Sequence, residues 1–262
     1  MRAVCLIRKE PYYRCDAFEK GLQRVGFTVV GAAVHPSGPE DWLIIWNRQQ
    51  HEALADTWEA KGGTVIVAEN GYLQKVDKTY YAISVHGHNG SGWFPVGDED
   101  RFSKLGFELT PWRVVREGWG GHEKGRSQPG DYRLICGQRG IGSRTMRSPP
   151  GWAEKMAEKF KRLGVPYKLR LHPGNFAPKV PLTNDLKGAS VCTIWSSAAG
   201  VQAIVEGVEV HHSAPHWICS GVGEINRTEG LNRMAWGQWR HEEIAEGTPF
   251  AHIIERRSEA VW

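Results

Sequence analysis

The sequence predicts an α/β protein of two strand–helix domains facing a cleft, followed by C-terminal helices. Three observations carry this. Apolar, β-branched runs alternate with helix-spaced segments over residues 2–68, the same alternation restarts at Tyr132, and a glycine-rich stretch poor in apolar residues separates the two. Strand–helix alternation is the pattern of parallel βαβ units, so each half is expected to form its own Rossmann-like layer.

In the first half, Arg2–Arg8 opens as a strand, and Cys15–Val25 places Phe18, Leu22 and Val25 at helical spacing before Gly26, a residue suited to a helix C-terminus. Phe27–Val34 and Trp42–Trp46 read as strands. His51–Lys61 reads as a helix closed by Gly62 and Gly63, and Thr64–Ala68 is a further β-branched strand. From Asn70 to Arg126 the text turns to Gly, Trp, Tyr and charge, with 86–92 and 118–130 richest in glycine. In the second half, Tyr132–Cys136 is a strand, and Pro149–Leu163 is an amphipathic helix with Pro150 near its start and Gly164 after its end. Tyr167–Leu171, Ala189–Ile194 and Val208–His212 read as strands and Ala198–Val205 as a short helix. Asn226–Gly247 spaces Leu231, Met234, Ala235, Trp239 and Ile244 as one or two helices. The domain boundaries expected are therefore 1–118, a linker over 119–130, a second domain over 131–225, and helices over 226–262 packing back on the first domain.

Composition narrows the class. With 262 residues, 40% hydrophobic and 24% charged, the chain can build a sizeable core, which excludes a disordered or collagen-like protein. No apolar run approaches the roughly 20 residues of a spanning helix, and the apolar stretch after Met1 is too short for a secretory signal. Five cysteines at wide spacing, with no C-x-x-C pair, read as thiols of a reducing compartment, so a cytoplasmic location is expected. The net charge of +4 permits phosphate-bearing ligands but does not identify a nucleic-acid binder. Twelve tryptophans are many, and some are expected to line the cleft.

In open α/β sheets, ligands sit at the carboxyl ends of the strands. Four segments fall there. Glu69-Asn70-Gly71 follows Thr64–Ala68 and offers a carboxylate, with an ordinary turn as the competing reading. Gln138-Arg139-Gly140 follows Tyr132–Cys136, and its glycines and donors suit a phosphate. His172-Pro173 ends Tyr167–Leu171, where Pro holds the preceding residue extended. Ser196-Ser197 starts the helix from Ala198, either as an anion site or as a capping pair. Asp98-Glu99-Asp100 reads as a solvated acidic turn, and His211, His212 and His216 as structural, because no ligand-spaced Cys or carboxylate accompanies them.

Taken in order, Glu-Asn-Gly, Gly-Gln, His-Pro and Ser-Ser resemble the motifs of GT-B glycosyltransferases of the capsule-polysaccharide and bacterial sialyltransferase type. The stretch Val191–Val210 is especially similar to that family's strand, serine pair, helix and return strand. The resemblance spans roughly residues 65–212. It implies a GT-B architecture and a metal-independent transferase whose co-substrate is a nucleotide sugar, with no further cofactor. His172, Pro173, Ser196 and Ser197, with Gln138, Arg139 and Gly140, would hold the donor, and Glu69 would match the acidic motif that supplies the acceptor's base. The second acidic position is Asn70, so His88 in the 86–92 loop is the alternative base. Asn89, Trp93, Arg113 and Arg116 are expected on the acceptor side, beside Trp112, Trp119 and Arg126. Aromatic and basic residues together favour a DNA acceptor, such as a hydroxymethylated pyrimidine in phage DNA. A surface or capsule glycan is the alternative acceptor, and a non-catalytic nucleotide- or DNA-binding module the alternative class.

Overall fold

The computed structural model describes residues 1–9, 14–73, 80–113, 132–142, 144, 146–174 and 180–259. The expected linker, 119–130, lies outside them. Two sheets form, one for each run of alternation.

The first unit runs β1 (Arg2–Cys5), α1 (Cys15–Arg24), β2 (Thr28–Val30), β3 (Trp42–Trp46), α2 (Glu52–Ala60), β4 (Thr64–Asn70) and β5 (Tyr80–Val85). β2, β1, β3 and β4 are parallel, while β5 returns antiparallel to β4. Period-two alternation sends Ala3, Trp42, Ile44, Ile66 and Ala68 under α1, whose Phe18 and Leu22 are fully buried. Val4, Leu43, Ile45, Val65 and Val67 point to the other face, under Ala55 and Trp58 of α2. Both faces are covered, which is why these strands read as continuous apolar runs.

The second unit runs β6 (Tyr132–Cys136), α3 (Trp152–Arg162), β7 (Tyr167–Arg170), α4 (Leu182–Lys187), β8 (Ala189–Ile194), α5 (Ala198–Val205) and β9 (Glu209–His212). Its strands are all parallel, in the order β7-β6-β8-β9. The chain steps to one side of β6 through α3 and then to the other side through α4, so the carboxyl end of β6 is the topological switch point. α3 lays Trp152, Ala153, Ala157 and Phe160 on Ile135, and α5 buries Val201, Ala203 and Ile204 on the opposite face.

The tail continues as α6 (Arg227–Trp236), β10 (Gln238–Arg240), α7 (His241–Ala245) and α8 (Thr248–Arg256). Here the structure corrects the all-helical reading of 226–247, because β10 pairs antiparallel with β5 and completes a six-stranded sheet. Buried Gln238 explains the insertion: its Oε1 accepts from the N–H groups of Tyr72 (2.8 Å) and Leu73 (3.2 Å). α7 and α8 pack on α1, with Ile244 and Phe250 in that core. α6 sits elsewhere. Its Leu231, Met234 and Ala235 share one buried cluster with Tyr72, Phe102 and Leu105 of the first unit and with Leu134, Cys192, Ile194 and Val201 of the second. The two units are therefore joined through a common apolar core as well as along the chain.

Candidate active site

The cleft opens at the switch point of the second sheet. About 770 Å³ of space is lined by Gly137, Gln138, Arg139 and Gly140 after β6, by Arg144, Arg147 and Ser148, by the first turn of α3 from Gly151 to Glu154, and by Leu171 and His172 after β7. Gly140 has φ +60, a conformation that strains other residues and lets the backbone turn along the rim. His172 is exposed, and its Nδ1 accepts the N–H of Gly174 at 2.9 Å. That bond leaves the proton of the neutral imidazole on Nε2. Pro173 is exposed beside it, at the end of β7 as its residue type suggests. Three guanidiniums and one imidazole against a single cleft carboxylate, Glu154, make the site complementary to an anion.

The serine pair behaves differently from expectation. Ser196 is buried; its N–H donates to Gln138 Oε1 (3.0 Å), its Oγ accepts from Gln138 Nε2 (3.1 Å), and its hydroxyl donates to the Met146 carbonyl (3.2 Å). Gln138 and Ser196 thus clamp the loop after β6 to the loop after β8. Ser197 is the N-cap of α5, its Oγ accepting from Ala199 N at 3.2 Å. Neither serine lines the cleft.

The first unit contributes the other wall of the junction. Glu69 lies inside β4, paired with Ala82, which corrects the strand-end loop read from the sequence. It is half-buried, and among the described residues it makes no ion pair or hydrogen bond. Burial pushes the phenol of nearby Tyr72 up, against the Asn89 N–H that its oxygen accepts at 3.2 Å, and the Glu69 carboxylate adds to the rise. Asn89, expected to bind the acceptor, is buried in the left-handed region (φ 59) and pinned between the units. Its Nδ2 donates to the Ser196 carbonyl (2.9 Å), and its Oδ1 accepts from Ile218 N (2.7 Å) and Gly90 N (2.9 Å). A second bridge runs from Gly142 N to Gln49 Oε1 at 3.3 Å.

His88 packs at the same junction. A Cβ added to Gly142 would lie 3.1 Å from its Cε1 and 3.2 Å from its Nε2, and its Nδ1 is buried with no partner among the described residues. The loop that carries it is anchored by buried Arg48, which donates to both oxygens of Glu59 (2.6 Å each), while Glu59 also meets His86 Nδ1 at 2.6 Å. Burial disfavours the Glu59 carboxylate, yet the hydrogen bonds from Arg48 and His86 outweigh it and hold its pKa at about 2.

Other expected residues fall elsewhere. Arg113 donates to the carbonyls of Leu186 (2.6 Å) and Lys187 (3.0 Å) at the C-terminus of α4, next to the start of β8, which is the opposite end of the sheet from the cleft. Trp93 bridges Val85 and packs on the core under α1, and Trp112 packs on the shared core beneath Arg227. Arg116, Trp119 and Arg126 lie outside the described residues. The tryptophan that does line the cleft is Trp152, T-shaped against Trp195 at 6.1 Å. The acidic turn at 98–100 is exposed as expected: Asp100 accepts from Ser103 N, and Glu99 pairs with Lys104. His211 meets Glu209, and His212 meets the Ala214 carbonyl and Ser220. Among the described residues no group of three or more metal-ligating side chains assembles. Sequence reasoning missed Arg144, Arg147 and Ser148, although the Gly/Ser/Arg composition of 140–148, between strand and helix, was the available signal.

Two α/β units, the first with a parallel core of β2, β1, β3 and β4 and the second all parallel, meeting at one junction, define the GT-B class of fold. Two solved structures from Thermosulfurimonas dismutans share it. One is the KpsC beta Kdo 2,4 transferase, with a TM-score of 0.51 and 14% identity over 90% of this chain and 89% of that one. The other is the KpsC beta Kdo 2,7 transferase, with a TM-score of 0.51 and 10% identity over 95% of this chain and 99% of that one. No family model and no curated protein matches the sequence. No helix among the described residues is long and apolar enough to cross a membrane.

Proposed function

We propose that this chain is a glycosyltransferase that moves a sugar from a nucleotide-sugar donor to a hydroxyl of a surface or capsule glycan. The observation that carries the reading is the basic cleft at the β6 switch point, with Arg139, Arg144, Arg147 and His172 on its walls, in a fold shared with two Kdo transferases. In the reaction, Glu69 takes the acceptor's hydroxyl proton and the acceptor oxygen bonds to the anomeric carbon. The bond from that carbon to the donor phosphate breaks, its electron pair staying on phosphate oxygen. Guanidinium and imidazole groups stabilise that developing charge best where water is excluded. The likeness to Kdo transferases makes Kdo the first sugar to try.

The DNA acceptor favoured on sequence grounds loses its support. Arg113 caps a helix away from the cleft and Trp93 packs in a core. The test is transfer from a panel of nucleotide sugars, Kdo donors included, to lipid-linked glycan acceptors and to hydroxymethylated DNA, read by mass. Glu69→Gln keeps size but cannot take a proton, so transfer should fall about a hundredfold or more while donor affinity holds. No donor hydrolysis, no transfer and no nucleotide binding would overturn the reading. Mass gain on DNA alone would restore the other acceptor, and loss of transfer in His88→Ala but not in Glu69→Gln would move the base.

A further inference from the structure

The hydroxyl of Ser148 is an unexplained feature of the cleft. The residue is only 8% exposed and lines the cleft, yet among the described residues its hydroxyl has no hydrogen-bond partner. The residue is held in the wall while its hydroxyl, uncommitted to the fold, stays open to the cleft, where a ligand atom can replace water as its partner. It stands beside a second set of unused donors. α3 is an eleven-residue helix whose N-cap, Gly151, has φ +68 and no side chain to cap the helix, and the N–H groups of Ala153 and Glu154 meet no acceptor among the described residues. These first-turn residues line the same cleft. Arg144 and Arg147 complete the rim, both exposed and both without an ion pair or hydrogen bond among the described residues.

The serine pair that the family resemblance assigns to the phosphate is committed elsewhere, Ser197 to its helix cap and Ser196 to Gln138 and Met146. We infer that the anion-binding centre of this protein is built from Ser148, the N-terminus of α3 and the Arg144–Arg147 pair, and that it takes the phosphate of a nucleotide. The helix end supplies oriented N–H groups and a favourable dipole, the serine one further donor, and the arginines the charge. The assignment of this anion to a sugar donor rests on the function proposed above, whereas the existence of the site does not.

The experiment measures dissociation constants of inorganic pyrophosphate, CMP and UMP by titration calorimetry at fixed ionic strength. The wild type is compared with Ser148→Ala, Arg147→Ala and Ser197→Ala, the melting temperature of each being recorded. Wild type should bind pyrophosphate and at least one nucleotide, and Ser148→Ala should weaken both roughly tenfold with little change in melting temperature, as expected for one hydrogen bond to a charged group. Should Ser148→Ala fail to fold, Arg147→Ala carries the test, because an exposed rim arginine is dispensable to the core, and about the same loss is expected. Unchanged affinity in both variants, a loss confined to Ser197→Ala, or no binding of any probe by wild type would overturn the inference. Transfer that persists without this site would leave the proposed function standing with its anion elsewhere. A Ser148-dependent site without sugar transfer would overturn the function and keep the site.

Discussion

Asn89→Ala tests whether this residue holds the two units together or awaits an acceptor. In the structure its amide serves a carbonyl of the second unit, that of Ser196, and an N–H that precedes α6, that of Ile218. Alanine would leave both groups in a closed junction without their partner, at about 1–3 kcal/mol each. Gly90 is exposed, so its N–H can turn to water at little cost. The φ of 59 adds about 1 kcal/mol, since asparagine tolerates the left-handed region better than alanine. The sum, about 3–7 kcal/mol, is a large fraction of what a domain commonly has. Urea unfolding followed by tryptophan fluorescence reads it. Asn89→Gly should recover about 1 kcal/mol relative to alanine, because it relieves the backbone and not the hydrogen bonds. A loss below about 1 kcal/mol in Asn89→Ala, together with impaired transfer, would refute the pin and return Asn89 to the acceptor side.

Two further perturbations probe the frame around the site. Glu59 titrates at about 2 in the folded protein against an ordinary 4.5, so its contribution to stability is present above about pH 4.5 and is lost as the pH falls toward 2. That shift corresponds to about 3 kcal/mol, and Glu59→Gln should flatten this limb of the stability-against-pH curve in urea titrations; an unchanged limb would assign it to other carboxylates such as Asp41, which its ion pair with Arg2 also holds low. Gly21→Ala would put a Cβ 1.8 Å from the Ile244 carbonyl oxygen, where α1 meets α7, and should cost at least about 2 kcal/mol, a fall of several degrees in Tm. Gly31→Ala, with nothing within 4 Å of the added carbon, is the control and should stay within about 0.5 kcal/mol.

Local pattern made the central strands and helices legible. Ala189–Ile194 and Ala198–Val205 stand where the β-branched run and the apolar spacing put them, and α3 lies within Pro149–Leu163, trimmed to Trp152–Arg162 by the turn through Pro149 and Pro150. β5 and β10 were not legible. Tyr80–Val85 is buried on both faces and so shows no alternation, and Gln238-Trp239-Arg240 becomes a strand only because β5 leaves an open edge 150-odd residues earlier in the chain. Their absence from the sequence reading is why residues 70–113 looked like loop, whereas Phe102 and Leu105 are part of the core shared by both units.

At the site, local pattern fixed where residues stand and distant partners fixed what they do. A serine pair at a helix start is equally an anion site and a cap by its own spacing, and what decided the matter for Ser196 was Gln138, 58 positions away, closing on its N–H and its hydroxyl. The same logic separates Arg113 from Arg147. Both are arginines in glycine-containing connections, but α4 ends within reach of Arg113 and offers it carbonyls, while Arg147 on the cleft rim makes no hydrogen bond or ion pair among the described residues. A donor that the fold has already satisfied is spent on stability, because breaking its bond to gain a ligand exchanges one hydrogen bond for another with little net gain. Donors that the fold leaves to water on a cavity wall take a ligand by releasing that water, with no bond of the fold broken. The groups that bind are therefore to be sought among the donors the fold leaves uncommitted on the cleft wall: Ser148 and the first turn of α3.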